Sequence, residues 1–476
     1  MIGFVLLGAL TLGAPFRDGA VLQRGMPVRV WGTAAAGEEV TVSFGGGKVS
    51  AKADASGSWK LQLPPMKESI ESRILTARTS GGEIVEAKDV LVGEVWIASG
   101  QSNMEVPLCS TNPRGSERNG ALYAQWTRRP FVRLAKIKHR GCAEPTTDGE
   151  VVWRKMEPGN GSSEFSAVAW CFAREVADAT GIPVGIIGAS VGATSIDSWI
   201  PKSHFSFKPS KRKGNDPCIY WNGMVAFLAP YSMRGIIWYQ GERNSWPDEW
   251  PYYCSKMHAF HDGWKAAFGN PHLKLRFVQL APWGSPTVPQ TQCVQQQFAD
   301  EEPDAAMCVI NDLGNLADIH PWNKETVGRR LAALALRYDY GFTDVKADSP
   351  RVTAATATTN GMVSLTVANA DKLHIYQPEW EFKQNPAATV KLGFELAGTN
   401  GVWKSARIEN LRRFHAKWMK PNYSEYRGDF AGKEIVLFSP EVPEPKSVRY
   451  LFSRPWRGTV YNEARLPLGA FHVEVR

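Results

Sequence analysis

Five short apolar runs, each breaking off at a glycine or a polar residue, constrain this chain more than any other feature. They are Val95-Trp-Ile-Ala98, Val184-Gly-Ile-Ile187, Gly235-Ile-Ile-Trp238, Leu275-Arg-Phe-Val-Gln-Leu280 and Met307-Cys-Val-Ile310. A strand covered on both faces reads as a near-continuous apolar run, and such strands belong to parallel sheets packed between helices. Two helical stripes accompany them. Phe165, Val168, Ala169, Phe172 and Val176 share one face of a helix that stops at Gly181 and Pro183. Val327, Leu331, Leu334 and Tyr338 share the face of a second helix over 323–338. Buried strands alternating with amphipathic helices predict an α/β fold around a parallel sheet.

The flanks read differently. Val28-Arg-Val-Trp31, Glu39-Val-Thr-Val-Ser-Phe44 and Trp59-Lys-Leu-Gln-Leu63 alternate at period two, broken by Gly45-Gly-Gly47. From about 345 the pattern returns in Val363–Val367, Val390–Leu396, Ile435–Phe438 and Val448–Tyr450. At 476 residues the chain exceeds one ordinary core. Three units are therefore expected: a β-sandwich over 1–92, the α/β unit over 93–344 and a β-rich unit over 345–476.

Composition excludes several classes. With 43% hydrophobic and 21% charged residues the chain is an ordinary globular protein. Its net charge of +8 is scattered, and the one basic cluster, Lys208–Lys213, reads as a solvated loop, so no nucleic-acid partner is expected. Seven cysteines show no CxxC pair and no metal-ligand spacing with the nine histidines, so no metal is expected, and the serine chemistry read below calls for no organic cofactor. One or two disulfides are compatible with that odd count. The opening MIGFVLLGALTLGAP is too short and glycine-broken to span a bilayer. It reads as a trimmed signal remnant, which implies a secreted or periplasmic protein. Oligomeric state leaves no mark in the sequence.

In a parallel α/β sheet, ligands sit beyond the carboxyl ends of the strands. The residues there are Gly100-Gln-Ser-Asn-Met104, Gly188-Ala-Ser-Val-Gly-Ala-Thr194, Tyr239-Gln-Gly-Glu242 and, after the last strand, Asp318-Ile-His-Pro321. A serine, a glycine turn, a side-chain amide and a histidine thus converge on one rim. A serine hydroxyl becomes a nucleophile when an imidazole takes its proton, which assigns Ser102 and His320. The imidazole needs a group to fix its tautomer, usually a carboxylate. Asp318 is the nearest; Asp312 or a backbone carbonyl is the alternative. Oxyanion donors are expected from the N–H groups of Ser102 and Gly192 and the amide of Gln240. Gln101, Asn103, Glu242 and Trp322 are candidate substrate contacts, with Glu242 also readable as a buried ion-pair partner. Eighteen tryptophans, among them Trp246, Trp250, Trp283 and Trp322 beside these segments, suit stacking on sugar rings. A competing motif, Gly188-Ala-Ser190-Val-Gly192, matches the nucleophile elbow of α/β-hydrolases and would make Ser190 the nucleophile.

The blocks resemble the sialate O-acetylesterase family of the SGNH hydrolases. Gly93-Glu-Val-Trp-Ile-Ala-Ser-Gly-Gln-Ser-Asn-Met104 is similar to its nucleophile block. Trp221-Asn-Gly-Met224, Gly235-Ile-Ile-Trp-Tyr-Gln-Gly-Glu242, Val278-Gln-Leu-Ala281 and Ile319-His-Pro-Trp-Asn-Lys324 follow in order. Asp18–Arg24 and Tyr461-Asn462 are looser matches at the two ends. The resemblance implies an SGNH-type fold with β-sandwich domains at both ends and hydrolysis of acetyl esters on sugars, O-acetylated sialic acid or acetylated xylan. It implies Ser102 as nucleophile, His320 as base, and Gly192 and Gln240 at the oxyanion hole. Three departures stand out: Ala317 holds the position where the family often has the acid, Ala193 replaces a glycine, and Arg243 follows the Gln-Gly-Glu. A carbohydrate-binding protein without turnover is the reading from another class, against which the intact Ser102, His320 and Gln240 argue.

Overall fold

The computed structural model describes the chain except residues 1–7, 111–128, 158–161, 211–215, 315–317, 379–392, 417–424 and 454–457. Most of the apolar opening, Lys211–Lys213, Ala317 and the start of the run expected at 390–396 therefore lie outside the described residues.

Seven strands form first: β1 Val21–Gln23, β2 Val28–Thr33, β3 Glu39–Phe44, β4 Gly47–Lys52, β5 Ser58–Leu63, β6 Ser69–Thr79 and β7 Ile84–Gly100. Their alternating residues bury one face, as in β5, where Trp59, Leu61 and Leu63 point inward and Lys60 and Gln62 outward. The last of them has 17 residues. Its first half pairs antiparallel with β6, and Leu91–Gly93 pairs parallel with β1. Its second half is the centre of the α/β sheet. The change of pattern expected at residue 92 is thus a change of neighbours along one continuous strand. One apolar core runs through both parts, joining Val28, Val40 and Leu75 to Ile187, Ile236 and Phe277.

The central strands are β8 Arg129–Lys136, β9 Trp153–Met156, β10 Val184–Ser190, β11 Gly235–Tyr239, β12 Lys274–Val278 and β13 Ala305–Cys308. They lie in the order β13-β12-β11-β7-β10-β8-β9, parallel except for β9 at the edge. The five predicted runs are β7, β10, β11, β12 and β13. Strands β8 and β9 were not predicted. β8 mixes Arg133 and Lys136 into its apolar positions, which hides its period, and Arg133 is buried against Asp89.

Five α-helices are described: α1 Ser102–Glu105, α2 Ala167–Thr180, α3 Tyr253–Phe268, α4 Val288–Glu301 and α5 Lys324–Asp339. Helix α2 starts where Ser166 Oγ accepts the Ala169 N–H and ends at Gly181, whose φ of 70° suits a glycine. Its predicted stripe packs on the sheet together with Val327, Leu331 and Leu334 of α5. Tyr338 departs from that stripe. It is 51% exposed and donates to Asp348 Oδ1, because Ala335 and Leu336 take the buried side of the last turn. Beyond α5, three antiparallel four-stranded sheets among the described residues between Arg351 and Glu474 enclose a separate apolar core. No disulfide joins any of the seven cysteines, and Cys171 and Cys308 are core residues. No helix among the described residues is long and apolar enough to cross a membrane.

Candidate active site

The centre of the sheet is where strand order reverses: the chain lays β8, β9 and β10 on one side of β7, with β10 next to it, then crosses to the other side and winds outward through β11, β12 and β13. A crevice opens at the carboxyl ends of such strands. Gly100 makes the turn there. Its φ is 137°, and a Cβ would stand 2.2 Å from the Tyr239 carbonyl oxygen, so only glycine lets β7 end this close to β11. The chain then enters α1 with Ser102 as its first residue, where the backbone N–H is not used by the helix ladder.

His320 reaches this serine from a segment 218 residues away. Its Nε2 lies 2.9 Å from Ser102 Oγ, the geometry of a base poised on a nucleophile. Asp318 sits differently from a buried triad acid. Its Oδ1 accepts the backbone N–H of His320 at 2.8 Å and stands 3.6 Å from the ring Nδ1, beyond hydrogen-bond reach. Its side chain is 54% exposed and that of His320 42%, so solvent weakens the pairing. Asp312, the alternative, is held by both guanidinium nitrogens of Arg330 at 2.7 Å.

The other predicted residues divide. Gly192 lies against Ser102: a Cβ there would be 3.5 Å from Ser102 Cβ. Its N–H, however, donates to Glu105 Oε2 at 2.8 Å. The next residue, Ala193, has φ 60°, the left-handed conformation that a glycine would adopt without strain. Gln240 is fully buried, and its amide hydrogens go to Asn244 Oδ1 at 2.8 Å, Thr194 O at 3.0 Å and Gln101 Oε1 at 3.2 Å. Its Oε1 accepts from the Tyr253 hydroxyl at 2.9 Å. Gln240 therefore ties β11 to the glycine turn and to the nucleophile loop, and its amide is committed inside the protein rather than turned toward an oxyanion. Gln101 is a member of the same frame, accepting the Arg243 N–H as well. The elbow serine, Ser190, is the last residue of β10, paired in register with Gly100.

Asn103 and Glu242, expected at the substrate, are both buried, behind Ser102 in the chain's interior. Asn103 Nδ2 donates to Glu242 Oε1 at 2.5 Å and to the Ile319 carbonyl at 3.0 Å, while its Oδ1 accepts from Lys324 Nζ. One amide thus links the nucleophile segment, the segment after β11 and the residue preceding His320. Burial holds the Glu242 carboxyl above the usual range, against the opposing pull of Asn103 and Lys324. Burial likewise pushes the Lys324 ammonium down to about 8, with Glu242 and Asp318 opposing. Lys324 and Glu105 escaped the sequence reading. The signal for Lys324 was a cation in the first turn of α5, where the helix dipole disfavours one. Trp322, by contrast, is 63% exposed two residues past His320, an open indole on the rim.

A family model described as carbohydrate esterase, sialic acid-specific acetylesterase matches residues 92–337. The chain is 26% identical over 407 residues to the sialate O-acetylesterase of Mus musculus, covering 71% of this chain and 75% of that protein. It is 26% identical over 364 residues to the Homo sapiens sialate O-acetylesterase, covering 67% and 69%. Among solved structures, a carbohydrate acetylesterase from Xanthomonas citri matches with a TM-score of 0.83 and 28% identity, over 97% of this chain and 99% of that one.

Proposed function

Because the chain belongs to the carbohydrate esterase family of sialic acid-specific acetylesterases and is a carbohydrate O-acetylesterase, we propose that Ser102 and His320 carry out its hydrolysis through an acetyl-enzyme on an SGNH-type α/β unit. The observation that supports this most is the 2.9 Å contact between His320 Nε2 and Ser102 Oγ at the carboxyl edge of the sheet. In the first half, His320 takes the Ser102 proton as Oγ attacks the acetyl carbonyl. The imidazolium then gives that proton to the departing sugar oxygen, leaving acetyl on Oγ. In the second half, water attacks the acetyl-enzyme, His320 takes its proton and returns it to Oγ, and acetate leaves. Oxyanion stabilisation falls to the N–H groups of Ser102 and Gly192. Asp318 biases the imidazole from a solvated position.

O-acetylated sialic acid is the substrate we infer first, from the named activity of the mouse and human relatives; acetylated xylan is the second. Trp322 supplies a face for the sugar ring. Mass spectrometry of a fluorophosphonate adduct tests the nucleophile, and acetate release from a panel of acetylated sugars tests the substrate. Label is expected on the peptide holding Ser102, and both label and turnover should vanish in Ser102→Ala. His320→Ala should lose about 10³-fold or more in turnover with the fold intact. Label on the peptide holding Ser190, with Ser102→Ala still active, would overturn the assignment.

A further inference from the structure

The donor that an oxyanion on Ser102 needs is already taken by an anion. Glu105, three residues past the nucleophile on the same short helix, places Oε2 2.8 Å from the Gly192 N. An N–H makes one strong hydrogen bond at a time, and one to a carboxylate is among the stronger kind. The bond stands at the nucleophile itself, since a Cβ on Gly192 would touch both Glu105 Oε2 at 3.4 Å and Ser102 Cβ at 3.5 Å. The other carboxylate oxygen, Oε1, lies 2.8 Å from His139 Nε2, on the segment after β8. Glu105 is partly exposed, at 25% of its side chain, so it has room to rotate away from Gly192 while keeping His139.

We propose that Glu105 is a gating residue: its carboxylate occupies the Gly192 oxyanion donor in the free enzyme, releases that donor while staying on His139 as the substrate carbonyl arrives, and excludes free carboxylates, the acetate product first among them, from that donor. This rests on the Ser102–His320 reading above. A carboxylate is the chemical likeness of acetate, so the protein's own side chain competes with product for the same N–H. A neutral ester carbonyl developing charge on Ser102 is held covalently to the site and can displace Glu105, whereas dissolved acetate must do so from solution and against like charge.

Glu105→Gln keeps the shape and an acceptor oxygen but removes the charge. Since charge-assisted bonds are about twice as strong as neutral ones, acetate should inhibit this variant about tenfold more tightly than wild type. Fluorophosphonate labelling of Ser102 should speed up several-fold, because the phosphoryl oxygen uses the same donor. Glu105→Ala should show the same direction, and His139→Ala, which removes the resting place, should slow labelling. Thermal melts establish that each variant is folded. Acetate inhibition within twofold of wild type in both Glu105 variants, with labelling unchanged or slower, would overturn the gate. Ser102→Ala distinguishes the two levels: if it still turns over and takes label, the nucleophile assignment fails; if it is inert while the Glu105 variants behave as wild type, the gate alone fails.

Discussion

Asn103→Ala tests whether the amide beneath the nucleophile is scaffold or substrate contact. In the structure its side chain satisfies two buried partners, Glu242 Oε1 and Lys324 Nζ, and the partly buried Ile319 carbonyl. Truncation strands all three at once. Each buried group left without a partner costs about 1–3 kcal/mol, and the two buried ones here are both ionisable, while water can reach the Ile319 carbonyl. Summed, with relief from water entering the small void, the loss should be about 3–5 kcal/mol, against about 5–15 kcal/mol for a whole domain. Urea unfolding should show a lower midpoint with an unchanged slope. Turnover should fall through kcat, because the Ile319 carbonyl that Asn103 tethers precedes the base. Asn103→Asp preserves the volume but sets a carboxylate against Glu242, so it should remain destabilised at neutral pH and separate hydrogen bonding from cavity formation. A loss below about 1 kcal/mol, together with a rise in KM alone, would refute this reasoning and return Asn103 to the substrate.

Asp318→Asn should lower kcat by about tenfold, short of the ~10⁴ seen when a buried triad aspartate is replaced; a loss of 10³ or more would show that the carboxylate closes onto Nδ1 when substrate binds. Lys324 gives a pH signature: its folded value of about 8 lies below the ordinary 10.5, so between these the unfolded chain holds the extra proton. Wild-type stability relative to Lys324→Met should therefore rise between pH 8 and 10.5 by up to about 3 kcal/mol; unfolding curves that keep a constant difference across the window would contradict it. Ala193→Gly relieves a left-handed alanine and should stabilise by a few tenths to about 1 kcal/mol in a thermal melt, less the entropy a glycine adds to the unfolded chain; a lower melting temperature would mean the conformation carries no strain.

What the sequence made legible is what local pattern encodes. The runs that became β7, β10, β11, β12 and β13 announce themselves because burial on two faces keeps most of their positions apolar, with Arg276 in β12 an exception held by its ion pair with Asp339. That Ser102 and His320 meet at 2.9 Å was expected from their being the right chemical types at the ends of those strands. The partners of Gln240, Asn103 and Glu242 were not legible, because an amide beside a nucleophile looks the same whether it faces solvent or is spent on Thr194 and Asn244. Only the three-dimensional count of donors and acceptors separates those cases. Glu105 is the sharpest instance. It stands inside the nucleophile block, yet its partner Gly192 is 87 residues away, and nothing in either segment alone foretells the bond. Strand β8 was missed for a related reason: Arg133 is buried by an ion pair that the alternation of apolar residues cannot register.

The 17-residue span of β7 carries the N-terminal sheet directly into the support of Ser102, its register broken only by a bulge at Lys88–Asp89, where Asp89 takes φ 55°. Past that bulge the strand has no seam at which evolution or an engineer can exchange the N-terminal layer for another. A graft must keep the register of both halves, since one residue gained or lost near Val92 turns every later side chain to the opposite face and carries Ser102 with it. The layer far from the chemistry is accordingly bound by the tolerances of the active site, and drift within it is limited to changes that leave the phase of the strand intact.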